Sequence, residues 1–535
     1  MNKTQNRINS KYAKYASVFI LAILAGVAVS LYNFSVLIML ALILFIVISF
    51  KYFNQVLTLL ILYLPFQIAF NIMPGIDLAS GRVFILCLFM VWMIKSLAEK
   101  RFIIKLSLQT LLILAFLFIA MFSITQAEDG ERAIRKILVF LSVFPLYFII
   151  TSIFSPFIKG GQGGFQIAHI HKILKALILS GFILSIIGIV QFTLQFLIGV
   201  DPIMIFWGKY IAPVFYGNTF GAEVVSNPSW LVNISGATVL RAFSLFPDPH
   251  MFSFYLGLLI PIVLAIVLCN KSDVSCCLHS SFSSRRSLSA EGSGDLRAFL
   301  SQFFAERLRR SNLFFNSKLL YFILFAMFLA ELFTFSRGGY LGMIAGVGIV
   351  IVLLWRKISF NKKIVLGLAS AIAVIFLLTT SQSVASRFLS SFDFNEGSNT
   401  ERIKNWNQGY EMFADNFLFG VGTGNYSLTI NPTIAYRTPV YAHNLYLDIG
   451  AEMGIFALII WIALIAATIW QLYEASKNSG NEFLRIVSAG LIGSLVWFSV
   501  HSFFDTPIYS PTILAIFTVI ISLAILVSFP FRKRG

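Results

Sequence analysis

Long uncharged apolar runs set the limits on what this chain can fold into. They recur from residue 16 to residue 529. Most are long enough to cross the ~30 Å hydrocarbon core of a bilayer as a helix. Candidate spans lie at about 16–32, 34–50, 56–72, 82–97, 107–124, 137–154, 173–198, 251–269, 319–335, 340–355, 363–380, 443–472, 485–503 and 511–529. The runs are continuously apolar rather than alternating, which excludes a transmembrane β-barrel. The expectation is an all-α protein, a polytopic transmembrane helical bundle of about 12–14 spans with one large polar loop on its outer side. The first run mimics a signal peptide. A second follows at Phe34–Phe50 without a convincing cleavage site, so the two read as an uncleaved hairpin of short membrane helices.

Charge points the same way. Charged residues make up 12% of the chain, about half the share of a soluble domain. The net charge of +17 would suggest nucleic acid in a soluble protein. With the N-terminus inside, however, most of the 40 Lys and Arg fall in inside loops, as expected of cytoplasmic loops, and no nucleic-acid partner is implied. Cys87, Cys269, Cys276 and Cys277 show no metal-site spacing and read as reduced, with no disulfide framework.

Four regions follow. Residues 1–250 carry N-terminal membrane helices and an outer stretch, 199–250, that is aromatic, Pro-rich and lightly charged. Residues 270–318 are a cytoplasmic insertion whose Leu296, Phe299, Leu300, Phe303, Phe304 and Leu308 share one helical face. That face suits either the inner leaflet or the bundle. Residues 320–466 include the polar outer loop 381–442, and residues 485–535 close the chain with membrane helices. No Gly-rich phosphate loop, Cys/His metal cluster or Ser-His-Asp spacing occurs, and no metal site is expected.

The polar groups gather at the outer face. In SRGGYLG, Ser336 to Gly342, an Arg coincides with two glycines between two apolar runs. The glycines permit a turn and a close approach to a ligand, and Arg337 either serves that ligand or snorkels to the interface. Arg402 falls near the start of a helix with Ile403, Trp406, Tyr410 and Phe413 on one side, read as lying on the membrane. Arg402 is either a solvated residue or a phosphate ligand, since a guanidinium suits pyrophosphate, and Arg387 and Arg437 in the same loop are lesser candidates. His443 and Asn444 open a membrane helix. Such a histidine is a helix-end residue or a proton acceptor, oriented by Asn444 or by a carboxylate such as Glu452. His250 and His501 lie near the outer face as lesser candidates. His169 and His171 are expected in an inside loop, and His279 in the insertion.

SRGGYLG, then R-x-x-x-W and FLFGVGTGNY, then AHNLYLDIGAEMGIFAL, in that order, resemble the O-antigen ligase and O-antigen polymerase superfamily. The likeness is densest over 320–466. RAFSLFPDPHMFSFYL looks like the family's upstream Arg segment, which makes Arg241 a substrate-binding candidate, although PDPH stands where the family often has Pro-Asn. The resemblance implies a metal-independent membrane glycosyltransferase without a cofactor. Its donor would be an undecaprenyl-pyrophosphate-linked glycan and its acceptor a glycan or lipid A core. It would sit in a bacterial inner membrane with the site facing the periplasm. Arg337 and Arg402 match the arginines that hold pyrophosphate, Asn444 lies in the same motif, and His443 matches the base. Ligase and polymerase share this chemistry. The other class open to such a chain is a polysaccharide or lipid transporter, or flippase. It would carry charged groups at mid-membrane, often in two related halves. Here Glu331 is the clearest charge within a span and no internal repeat is visible. A topology reporter fused near residue 415 is expected to read outside, and one near residue 290 cytoplasmic. Reversal of either overturns the orientation.

Overall fold

The computed structural model describes residues 34–73, 76–99, 106–152, 162–225, 228–234, 236–269, 317–365, 367, 397–434 and 440–528. The span expected at 16–32, most of that at 363–380, nearly all of the insertion with Cys276, Cys277 and His279, and the candidates Arg387 and Arg437 lie outside the described residues.

In chain order the elements are α1 (Phe34–Tyr63), β1 (Ala69–Met73), β2 (Ile76–Ala79), α2 (Ser80–Ala98), α3 (Leu108–Phe122), α4 (Gly130–Val143), α5 (Pro145–Ser152) and α6 (Gln162–Ile198). A cap follows, built from α7 (Val200–Phe206), α8 (Ala212–Tyr216), α9 (Asn218–Val225), β3 (Leu231–Ile234) and β4 (Ala237–Leu240). Then come α10 (Pro249–Cys269), α11 (Ser317–Phe333), α12 (Arg337–Leu354), α13 (Gly397–Asp415), α14 (Tyr426–Ile430), α15 (Leu445–Asn478), α16 (Glu482–His501) and α17 (Pro511–Ser528). Among the described residues ten helical segments are long and apolar enough to cross a membrane, α4 and α5 counting as one. The chain is an all-α, multi-pass membrane protein.

Three local readings change. The spans expected at 34–50 and 56–72 run on as α1, two helical stretches joined across a kink at Tyr52, and the second stops at Tyr63 rather than 72. The kink falls inside the polar break Lys51–Gln55, which contains neither Pro nor Gly, so the chain bends there without leaving for a loop. Pro65 falls in the 3-10 turn that follows α1, and the chain then enters the antiparallel β1–β2 hairpin. His169 and His171 are not in a loop. They are buried in α6, where the His171 ring stacks 4.0 Å from Phe483. Finally, α13 does not turn its whole apolar side to lipid: Phe413 packs against Gly450 of α15, while Tyr410 stays exposed.

α10 is apolar all round, and Met251–Cys269 are buried throughout, as expected of a central helix. It packs against α6, α11, α12, α16 and α17. Between lipid-embedded helices the hydrophobic effect offers little drive, so contact rests on small residues that let backbones close up. α12 supplies them at four-residue intervals. A Cβ on Gly338 would stand 2.7 Å from His501 Cδ2, one on Gly342 2.5 Å from Trp497 Cδ1, and one on Gly346 2.7 Å from the Gly493 carbonyl. Trp497 of α16 also fills the space left by Gly257 of α10 and is fully buried. Gly346→Val should therefore lower the thermal midpoint of purified protein in detergent, by an overpacking cost of about 1–3 kcal/mol. Gly348→Val, which meets nothing within 4 Å, should not. Equal midpoints for both variants would mean that the seam yields freely.

Candidate active site

Five chain segments meet at one end of the bundle. The first is the Arg241 segment leaving β4. Arg241 is buried, and three of its donors go to main-chain carbonyls: Nε to Thr334 at 2.7 Å, one Nη to Ser229 at 3.0 Å and the other to Phe335 at 3.2 Å. It clasps the cap to the turn between α11 and α12. Both Nη atoms also stand 3.5 Å from His250 Nε2. A guanidinium only donates, so Nε2 faces it as an acceptor and the His250 proton sits on Nδ1. From there it is donated to Ser336 Oγ at 3.0 Å.

Ser336 is the N-cap of α12, accepting from Gly339 N at 3.2 Å. With two donors already aimed at its oxygen, its own O–H points to His501 Nε2, 3.2 Å away. The His501 ring lies flat on Phe254, centroids 3.6 Å apart. The left-handed residue of this turn is Phe335, at φ 49. Gly338 and Gly339 do not make the turn as the sequence suggested. They are helical, and Gly339 is needed because a Cβ there would stand 2.0 Å from Ser253 Oγ and 2.5 Å from Glu331 Oε1. Arg337, half-buried, is the first residue of α12.

The second centre is His443. It also has a left-handed backbone, φ 50, which a non-glycine residue holds only when its surroundings force it. Here they do. Ala442 N donates to the buried Asp448 carboxylate at 2.9 Å, and Leu445 N to the Ser502 carbonyl at 2.8 Å. Asn444 caps α15, its Oδ1 accepting from Tyr446 N at 3.0 Å and Leu447 N at 3.3 Å. His443 Nδ1 lies 3.5 Å from Asp505 Oδ1, with 48% of the His443 side chain exposed. His250 Nδ1 is 3.9 Å from the other Asp505 oxygen.

Burial opposes the charged imidazolium, but the Asp505 carboxylate beside it prevails and holds the His443 pKa above the ordinary histidine value. Burial likewise works against the Asp505 anion. The hydrogen bond from His443 and the neighbouring histidines keep its carboxyl well below the usual range. Arg402, on the second turn of α13, lies close enough to His250, His443 and His501 for its charge to act on all three.

The third part is the support beneath. Gly420, Gly422 and Gly424 of the FGVGTGNY stretch all have positive φ, and Cβ atoms on them would strike Glu452–Met453, Ala127 and the Arg132 carbonyl. The segment is thereby wedged between α15 and the start of α4. α15 breaks at Gly454, φ 79, and the wedge satisfies main-chain groups around the break: Ile455 N donates to Phe417 O at 2.9 Å and Val421 N to Ala451 O at 2.8 Å. Glu452, one of the residues that could orient His443 or be structural, is structural: it pairs with buried Lys136 of α4 at 2.9 Å and accepts the Tyr509 hydroxyl. Lys136 also sits 3.7 Å over the Tyr509 ring.

Arg241, His250, Ser336, Arg402, His443, Asn444, His501 and Asp505 are thus gathered by the fold. Asp505 was missed from sequence. Its one signal was that it is a lone acid in the short outer turn between the last two spans. Among the described residues no group of three or more His, Cys, Asp or Glu forms a metal-ligand set.

Residues 322–462, which hold Ser336, Arg337, Arg402 and His443, match the family described as O-antigen ligase. Over 180 residues the chain is 28% identical to the teichuronic acid biosynthesis protein TuaE of Bacillus subtilis (strain 168). That match covers 32% of this chain and 36% of TuaE. Over residues 322–462, about a quarter of its length, this multi-pass membrane protein is accordingly similar to the O-antigen ligase family.

Proposed function

We propose that this end of the bundle is the active site of a membrane glycosyltransferase. It moves or polymerises an oligosaccharide from undecaprenyl pyrophosphate, at the periplasmic face of a bacterial inner membrane. The observation that carries the reading is the His443–Asp505 pair, 3.5 Å apart, beside the charge of Arg402. Three histidines meet here, and they are not equivalent. His250 and His501 are tied into the Arg241–Ser336 chain. His443 is the more exposed one, with a carboxylate on Nδ1, which leaves Nε2 as the basic nitrogen.

The chemistry follows from that placement. The acceptor hydroxyl oxygen attacks the anomeric carbon of the lipid-linked glycan while the bond from that carbon to the phosphate oxygen breaks. The electron pair leaves with the pyrophosphate, and the hydroxyl proton passes to His443 Nε2. Asp505 stabilises the resulting imidazolium. Arg402 and Arg337 carry fixed positive charge towards the leaving group, where negative charge grows in the transition state. Arg241, with three donors committed to carbonyls, positions the turn that carries Arg337. Glycan, lipid A core and other hydroxyl acceptors fit this scheme equally.

Two outcomes test it, both in proteoliposomes supplied with lipid-linked donor. His443→Ala should cut transfer on the order of 10²–10⁴-fold while donor binding persists. Arg402→Ala should weaken donor binding as well. Transfer by His443→Ala within a few-fold of wild type would reduce the residue to a helix-end role. The second outcome is a pH profile. His443 must be neutral to act as a base, so wild-type transfer should rise as pH climbs through its elevated pKa. Asp505→Asn removes the charge that elevates it. The acid limb should then move to lower pH while the plateau falls roughly tenfold or more. An unmoved acid limb would detach Asp505 from the base.

A further inference from the structure

The cap carries a helical stripe that neither the site nor the bundle uses. Residues 200–216 run as α7, a π turn at Trp207–Ile211, and α8. The inward side, Ile203, Trp207, Ala212 and Tyr216, is buried in a small core with Trp230, Leu240 and Phe243. The outward side is apolar too: Ile205, Phe206, Tyr210 and Val214 are 67%, 49%, 55% and 48% exposed. Its one cation, Lys209, lies 5.2 Å over the Tyr210 ring. The polar face of α13 at the same end looks different: it exposes Glu401, Lys404 and Asn407.

The stripe begins one residue beyond a membrane-spanning helix. α6 ends on Phe196, Leu197 and Ile198, exposed at 68%, 81% and 54%. Gly199, at φ 87, then breaks the helix and lets α7 leave its axis. The stripe is therefore continuous with the lipid-facing belt of α6. An aromatic, weakly charged helix with a lysine among its tyrosines matches the headgroup–acyl boundary, where amphipathic rings settle and a lysine reaches phosphate. We propose that residues 200–216 lie in the bilayer interface at the site end of the bundle, with Ile205, Phe206, Tyr210 and Val214 in contact with lipid. The cap is then a membrane-seated platform. Because Arg241 follows β4 of that platform and clasps the α11–α12 turn, the bilayer surface itself sets the depth of the Ser336–Arg337 corner.

The inference does not depend on the transferase reading, and its test needs no turnover. The full chain, with its native cysteines replaced by alanine, is reconstituted in nanodiscs of phosphatidylethanolamine and phosphatidylglycerol. Nitroxide labels are placed singly at Phe206→Cys, Tyr210→Cys and Val214→Cys. Leu197→Cys serves as the lipid reference and Lys404→Cys as the water reference. The labelled positions are all exposed, and each protein must elute as the unlabelled chain does. Power-saturation EPR reads relaxation by oxygen against that by a water-soluble nickel chelate. The expected result is that 206, 210 and 214 group with 197, with oxygen dominant, and opposite to 404. Labels that group with 404 would place the stripe in water and overturn the proposal. Spin–spin broadening at 206 would put a second copy of the chain on the stripe and overturn it equally.

Discussion

The close approach of α12 to α16 is the contact on which the site depends. Lipid tails are as apolar as the helices, so two helices stay together only if their surfaces fit. Gly338, Gly342 and Gly346 remove three side chains from that surface, and Trp497, His501 and the Gly493 carbonyl occupy the space. The seam places the N-terminus of α12 against the C-terminus of α16. Ser336 and His501 are then hydrogen-bonded although 165 residues separate them. The turn after α16 consequently stands beside the start of α15, where Ser502 and Asp505 meet Leu445 and His443.

Polar groups held this way differentiate chemically similar side chains. Arg241 cannot accept a hydrogen bond, so it fixes the proton position on His250, through it the Ser336 hydroxyl, and finally the acceptor face of His501. His443 escapes that chain and finds a carboxylate. Two of the three left-handed non-glycine residues among those described, Phe335 and His443, occupy the two corners where these networks meet. Strain of that kind, of order 1–3 kcal/mol, persists only where surrounding bonds over-determine the backbone.

How much of this was legible in the sequence followed the range of the interactions. Span positions, the SRGGYLG corner, Arg402 and the His443–Asn444 helix start depend on neighbours a few residues away, and those could be read. Asp505 could not be paired with His443, because 62 residues and a whole transmembrane hairpin lie between them. By helical spacing Glu452 could orient His443 or be structural. It answers to Lys136, 316 residues upstream. The glycines of SRGGYLG were recognised as special for the wrong reason. They admit Ser253, Glu331 and His501 rather than bend the chain. At α1 the polar break coincides with the kink at Tyr52, where a loop was expected.

The break in α15 at Gly454 has a consequence for how anything enters this end of the protein. The segment 417–421 splints the break, its backbone paired with Ala451 and Ile455. It is held from behind by Thr423 on Ser123 and by Asn425 on Asp129. Lifting it would orphan main-chain groups inside the bundle at about 1–3 kcal/mol each. Opening this stretch as a hinged lid would therefore cost roughly 2–6 kcal/mol for its two main-chain bonds, a cost that a motion keeping it on α15 avoids. Any motion that keeps these bonds carries α15 and its splint together, so the two form a single mechanical degree of freedom.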